Sequence, residues 1–210
     1  KVMANIKDDG FSLDCLNAVR GIPSSYLQYY YCRDAKLKHQ KEDEKCRARV
    51  CMEIEEELLE MYSDETLVTK PDLLDQRGGY KYSLAAVSLI DSIANDKRDV
   101  QIVNIKNNGI VDFMDDDDIL EIAAVIGKDG AEPVAIDKIE NKHIIGLMRV
   151  VKAYEKYTVE AATTGSEAAA INALLVHPLV GDWERAHKCF EEMKWAHKAY
   201  LPEFFPNDVV

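Results

Sequence analysis

No run of eighteen or more apolar residues occurs anywhere in this 210-residue chain, which excludes a membrane-spanning helix. The signatures GxGxxG and GxxxxGK[ST] are both missing, and with them the two common phosphate-cradling loops. GxSxG and HExxH are missing too, so neither a nucleophile elbow nor a zinc-protease helix is present. Cysteine is sparse and unpatterned: Cys15, Cys32, Cys46, Cys51 and Cys189 form an odd set without a CxxC pair. They read as reduced thiols of a cytoplasmic chain, neither a disulfide framework nor a zinc site. No histidine stands at ligand spacing from another histidine or a cysteine.

Positive charge is also short. The balance of 26 Lys and Arg against 38 Asp and Glu leaves a net charge of −12. That argues against a nucleic-acid backbone or an anionic membrane as the main partner. A small anionic substrate stays compatible, because a few well-placed arginines outweigh distant surface charge. The opening "KVMANIKDDGF" has neither an initiating Met nor the pattern of a secretory signal. It reads as the start of a piece cut from a longer protein. What the chain does have is a hydrophobic content of 47%, enough for a sizeable core in one large domain or one and a half typical ones.

The order of elements follows from period and punctuation. Ser12 can cap a short helix carrying Leu13, Leu16 and Val19, with Gly21 as its stop. Pro23, Ser24 and Ser25 start a tyrosine-rich helix, "GIPSSYLQYYYCRD", with Tyr26, Tyr29, Tyr30 and Tyr31 within six residues. "CRARVCMEIEEELLEMY" is strongly amphipathic: Val50, Ile54, Leu58 and Met61 form its apolar stripe, and Glu53, Glu56 and Glu60 its wet face. Pro71 and Gly78–Gly79 mark a loop, after which Ser83 can cap a helix holding Leu84, Val87, Ile90 and Ile93. The period then changes: "VQIVNIKNNG" reads as a strand ending at an Asn-Gly turn, and "ILEIAAVIGKDGAEPVAI" as a hairpin turning at Lys128–Gly130. Helix returns with "HIIGLMRVVKAYEKYTVEAATTG", stopped by Gly165, then "EAAAINALLVHPLV". A last helix follows from Asp182, with Trp183, Ala186, Phe190 and Met193 expected inward. Helices around an antiparallel sheet insert give an α+β class, without internal repeat or low-complexity tract.

Few side chains have the setting for chemistry. Positions 47, 50, 51, 54, 58 and 61 fall on one helical face, which puts Arg47 on the apolar stripe and Arg49 in solvent. An inward guanidinium needs an anionic partner, most naturally a phosphate; at a helix start it can instead snorkel to water. Closely spaced tyrosines are ordinarily core aromatics, and a Tyr general base needs its pKa, about 10 when free, pulled down by a nearby cation. Asp115 to Asp118 lack the alternating ligands and central glycine of an EF-hand loop and read as a solvated turn. His177 and His197 each stand alone and read as packing residues.

Taken as strings in order, "IPSSYLQYYY", "CRARVCMEIEEEL", "RGGYKYSLAAVSLI", "VNIKNNG", "KAYEKYTVEAATTG" and "ALLVHPLV" carry more. Along nearly its whole length the chain resembles the C-terminal half of glycoside hydrolase family 4, most of all its 6-phospho-β-glucosidases. The resemblance implies a domain folded like the C-terminal domain of lactate and malate dehydrogenases. It implies an NAD- and Mn²⁺-dependent enzyme that departs from the usual carboxylate pair. NAD⁺ takes a hydride from C3 of the sugar, the metal polarises the ketone, and a tyrosine removes the acidified C2 proton. The aglycone is then eliminated, water adds, and the hydride returns. The implied base is Tyr26, first of the YLxYY block, with Tyr29 as fallback. The implied substrate-binding arginine is Arg47. Arg77, Gly78, Gly79 and Tyr82 match the RGG…YS loop without an assigned role.

Two departures stand out. Phe113-Met114 replace a usual Leu-Pro, and Ala123-Ala124 replace a Pro-Cys, so substrate preference can differ from typical members. The dinucleotide-binding domain, the Cys and His metal ligands and the candidate acid belong to the N-terminal half in relatives. An isolated, inactive domain of a cytoplasmic enzyme is therefore expected, one that forms a dimer or tetramer when full-length. Rival readings are an α-specific 6-phospho-glucosidase, an α-galactosidase, a 2-hydroxyacid dehydrogenase, or a non-catalytic oligomerisation or sugar-phosphate-sensing module.

Overall fold

A computed structural model describes residues 10–78 and 81–206. The chain divides into two compact units, one built from its two ends, up to Arg33 and from Lys138 onward, the other from Asp34–Asp137.

In the end unit, α1 (Leu13–Val19) is capped by Ser12, whose hydroxyl accepts from the Cys15 N–H. It stops one residue earlier than the glycine implies: Arg20 takes the left-handed conformation, φ 53°, and its N–H closes on Leu16. The tyrosine segment is broken up, with a 3₁₀ turn over Ser25–Leu27 followed by the single helical turn α2 (Gln28–Tyr31); the next helix, α3 (Arg33–Glu42), runs on into the middle unit. The long helix α7 (Lys142–Thr164) is fixed at its start by Asn141. The Asn141 side chain accepts from the N–H groups of His143 and Ile144 and donates to the Val19 carbonyl at 2.7 Å. Its stop is Gly165, at φ 68°, where an added Cβ would lie 2.0 Å from the Glu203 carbonyl oxygen. Both the left-handed backbone and the close approach require glycine there. Ser166 then caps α8 (Glu167–Val176), and Asp182 caps α9 (Trp183–Ala196). Alanines 161, 169, 173 and 186 are buried where α7, α8 and α9 pack, their small side chains allowing close approach. Phe190 is buried with them, its ring 5.9 Å from Phe204.

The middle unit sets helices against a sheet. Helix α4 (Arg47–Tyr62) buries Ile54 and Leu58, the centre of its predicted stripe, and contacts the short helix α5 (Leu73–Arg77), which occupies part of the expected loop. Helix α6 spans Tyr82–Ala94. Strands β1 (Asp99–Lys106), β2 (Ile119–Gly127) and β3 (Gly130–Pro133) form an antiparallel sheet in that order. Asp99 pairs with Ile126 and Lys106 with Ile119. Gly127 pairs with Gly130, so Lys128 and Asp129 make the hairpin turn. Strand alternation buries Leu120, Ile122, Ala124 and Ile126. On the neighbouring strand, the Gln101 amide donates to the Ser92 hydroxyl at 2.7 Å, tying β1 to α6.

Several expected placements differ. Ser83 lies inside α6, whose N-cap position is Lys81. Leu84, Val87, Ile90 and Ile93 are exposed, because α6 turns its serines, 88 and 92, toward the sheet. Trp183 and Met193 are exposed too; only Ala186 and Phe190 of that stripe are buried, since the stripe is wider than the contact α9 makes. No described helix is long and apolar enough to cross a membrane.

Candidate functional site

The four tyrosines separate by environment. Tyr31 is half-buried, its hydroxyl 2.7 Å from His143 Nε2 and its ring 6.2 Å from Phe11 and 5.2 Å from Tyr30. Burial first, then the nearby Tyr30 and Cys15, push its phenol above the ordinary value, and its hydroxyl shares a hydrogen bond with the imidazole. That is a packing tyrosine. Tyr26 is the opposite: it sits on the 3₁₀ turn, where the chain leaves the extended Pro23–Ser24 segment, with its side chain exposed. Tyr29 is half-buried one turn on. Beside the segment, Tyr30, Lys142, His143, Leu147 and Val150 are among the residues that line an open cleft of about 440 Å³.

Arg47 opens α4 and is exposed, not drawn in with the apolar stripe, because it precedes the first buried position, Ile54. Among the described residues it does not pair with a carboxylate. Its Nη2 donates to the carbonyls of Gln76 and Arg77, at 2.7 and 3.3 Å. These are C-terminal carbonyls of α5, where a helix leaves acceptors unpaired and carries partial negative charge. Arg77 in turn donates through Nε and Nη2 to Glu55 Oε2, at 3.3 and 3.0 Å. Gly78 follows at φ 86°; Gly79 lies outside the described residues, and Tyr82 is the exposed first residue of α6. The structure thus brings Arg47, Glu55 and Arg77 together in the middle unit, and Tyr31 with His143 in the end unit. Glu55 was not legible as a site residue; its only sequence signal is its place eight residues after Arg47 on one helix.

The acidic turn is not fully solvated. Asp118 is buried, and its Oδ2 accepts from the Asp115 N–H at 3.0 Å. The organiser of that loop is Asn107, also fully buried, whose amide donates to the carbonyls of Val111, Met114 and Asp115 while its oxygen accepts from the Val111 N–H. His177 Nδ1 accepts from the Leu179 N–H and its ring meets Tyr154 edge-on at 4.5 Å. Burial holds its pKa below the ordinary value. His197 closes α9, its N–H bonded to the Met193 carbonyl. Among the described residues no three His, Cys, Asp or Glu side chains gather closely enough to hold a metal ion, so these residues do not by themselves fit the expected Mn²⁺.

Comparison with known proteins adds the context these residues lack. A "probable 6-phospho-beta-glucosidase" of Bacillus subtilis is 40% identical over 97% of this chain and 46% of its own length. The 6-phospho-beta-glucosidase BglT of Thermotoga maritima is 36% identical over 95% of the chain and 47% of its own. The structure of the Thermotoga maritima enzyme with NAD and glucose-6-phosphate superposes with a TM-score of 0.85, at 36% identity over 95% of this chain and 48% of that one. The same enzyme has been solved with manganese, NAD⁺ and glucose-6-phosphate. The chain spans about half the length of the curated relatives it matches. Like those neighbours over the matched region, it is mostly helical with a small three-stranded antiparallel sheet. The sequence profile of the family 4 glycosyl hydrolase C-terminal domain matches residues 1–180, and the chain belongs to that family.

Proposed function

We propose that this chain is the C-terminal domain of a 6-phospho-β-glucosidase that works by NAD-dependent oxidation, elimination, addition and reduction. The observation that carries the reading is the superposition on an enzyme solved with NAD and glucose-6-phosphate, over 95% of this chain. The domain's finer kinship would be with the C-terminal domain of lactate and malate dehydrogenases. Its five cysteines, all free, fit a reducing cytoplasm, and the full-length protein would assemble as a dimer or tetramer. NAD and Mn²⁺ would be held by an N-terminal half, and the chemistry they supply is oxidation at C3 and activation of the adjacent C–H bond.

The work assigned to this chain is narrower. Tyr26, exposed on its turn, takes the C2 proton, with Tyr29 as the fallback base. An exposed phenol is a poor base at neutral pH until a cation stands beside it, which makes the role dependent on the loaded enzyme. Arg47 holds the 6-phosphate: its guanidinium is exposed and already oriented by two carbonyls. The test is made on the full-length protein with a chromogenic 6-phospho-β-glucoside. Tyr26→Phe should abolish exchange of the C2 proton with solvent while leaving NAD⁺ binding intact; unchanged exchange moves the role to Tyr29. Arg47→Ala should raise KM for the phosphorylated substrate more than for its unphosphorylated counterpart, and equal effects would remove the phosphate assignment. The isolated chain should not turn over substrate even with both cofactors added.

A further inference from the structure

The guanidinium assigned to the sugar phosphate is itself held, and the residues that hold it have no assigned part in the reaction. Helix α5 has five residues, too few to be stable alone, yet its last carbonyls are what Arg47 grips. What anchors that helix end is the other arm of Arg77, bound through Nε and Nη2 to Glu55. Glu55 and Arg47 stand on the same helix, α4, with a rise of ~12 Å between them. Helix α4 therefore grips Arg77 at two points, by its main-chain carbonyl through Arg47 and by its guanidinium through Glu55. Among the described residues the hydrogen bonds of Arg47 use Nη2 alone, which leaves Nε and Nη1 for an anion.

We propose that Glu55 is a positioning residue for substrate binding. By anchoring the Arg77 side chain it fixes the Gln76 and Arg77 carbonyls, and these aim the Arg47 guanidinium at the phosphate. The inference rests on the reading of Arg47 as the phosphate contact. Its physical basis is preorganisation: an arginine whose rotamer is already restricted loses less freedom when it binds, so affinity improves without any new contact. The Glu55 carboxylate is also a negative charge on the helix that carries the anion's partner. Acting through charge alone, its neutralisation would tighten phosphate binding; acting through Arg47, its neutralisation loosens it. The two accounts predict opposite signs.

The Arg77–Glu55 pair is solvent-exposed, with side-chain accessibilities of 40% and 56%, so its loss should hardly affect folding. The experiment measures kcat and KM of the full-length protein for a 6-phospho-β-glucoside and its unphosphorylated counterpart, in Glu55→Gln, Arg47→Ala and the double variant, with thermal midpoints recorded. We expect Glu55→Gln to raise KM for the phosphorylated substrate three- to tenfold, with kcat within twofold and the unphosphorylated substrate unaffected. In the Arg47→Ala background the same change should add nothing. An unchanged or lowered KM, a rise shared by both substrates, or additive effects in the double variant would each overturn the inference while a phosphate-selective Arg47→Ala kept its reading. Equal effects of Arg47→Ala on both substrates would overturn that reading, and the inference with it.

Discussion

Asn107 is the residue whose loss the structure prices most clearly. It lies at the end of β1 with no accessible surface, and its side chain joins points spread over eight residues of the loop that leads to β2. The amide nitrogen donates to Val111, Met114 and Asp115 carbonyls at 3.0, 3.1 and 3.2 Å, and the oxygen accepts from the Val111 N–H at 2.7 Å. The Asn107 main-chain N–H adds a bond to the Asp118 carbonyl at 2.7 Å, independent of the side chain. Asn107→Leu keeps the branched shape at a larger volume and leaves the Val111 N–H and the Met114 carbonyl without this partner, while the Val111 and Asp115 carbonyls still accept from the Met114 and Asp118 N–H groups. At about 1–3 kcal/mol for each buried group left unpaired, and with some of the carbonyls recovering water, a loss of about 3 kcal/mol follows. Asn107→Asp preserves the acceptor for Val111 but turns a carboxylate oxygen toward three carbonyls, and should cost at least as much. Urea unfolding of the chain, followed by circular dichroism, reads both variants as a lower midpoint at unchanged slope. If either variant unfolded within about 0.5 kcal/mol of the parent, the hydrogen bonds would not be what holds this loop.

The remaining predictions concern the end unit. Gly165→Ala combines an unfavourable left-handed backbone with a Cβ placed 2.0 Å from the Glu203 carbonyl oxygen, and should cost about 2–4 kcal/mol; a thermal midpoint unchanged from the parent would show that the Glu203 segment does not pack there. Phe190→Ala empties a buried aromatic site beside Phe204 and should cost about 3–5 kcal/mol, read in the same denaturant assay. His177 has its folded pKa lowered by burial, so the unfolded chain holds that proton more tightly. Its contribution to stability is full above the unfolded value of about 6.5 and is lost as pH falls through that value to the folded one. His177→Gln should flatten the pH dependence of the unfolding free energy on the acid side of neutrality, and an NMR titration midpoint at or above the ordinary value would contradict the sign.

Much of this was legible in the chain itself, wherever the determinant is local. Ser12 and Asp182 reach backbone N–H groups three residues away, and Gly165 ends α7 through its own φ, so these helix limits follow from neighbours in sequence. The alternation along β2 and the two-residue turn at Lys128–Asp129 are local for the same reason. Motif order identified the family, because six blocks in register carry more information than any one side chain's chemistry.

What stayed hidden depends on partners distant in sequence. Helical arithmetic put Arg47 on an apolar stripe, but it could not show that the carbonyls its guanidinium meets belong to α5, 29 residues on. The same distance concealed Glu55, whose partner Arg77 is 22 residues away. Trp183 and Met193 of α9 were expected inside and are exposed, since hydrophobicity marks a preference for burial and only packing decides which face receives it. Sequence determined the caps at Ser12 and Asp182, the strand period and the family; tertiary structure decided which distant charges meet and which faces close, because those choices are made by contacts whose members the chain keeps far apart.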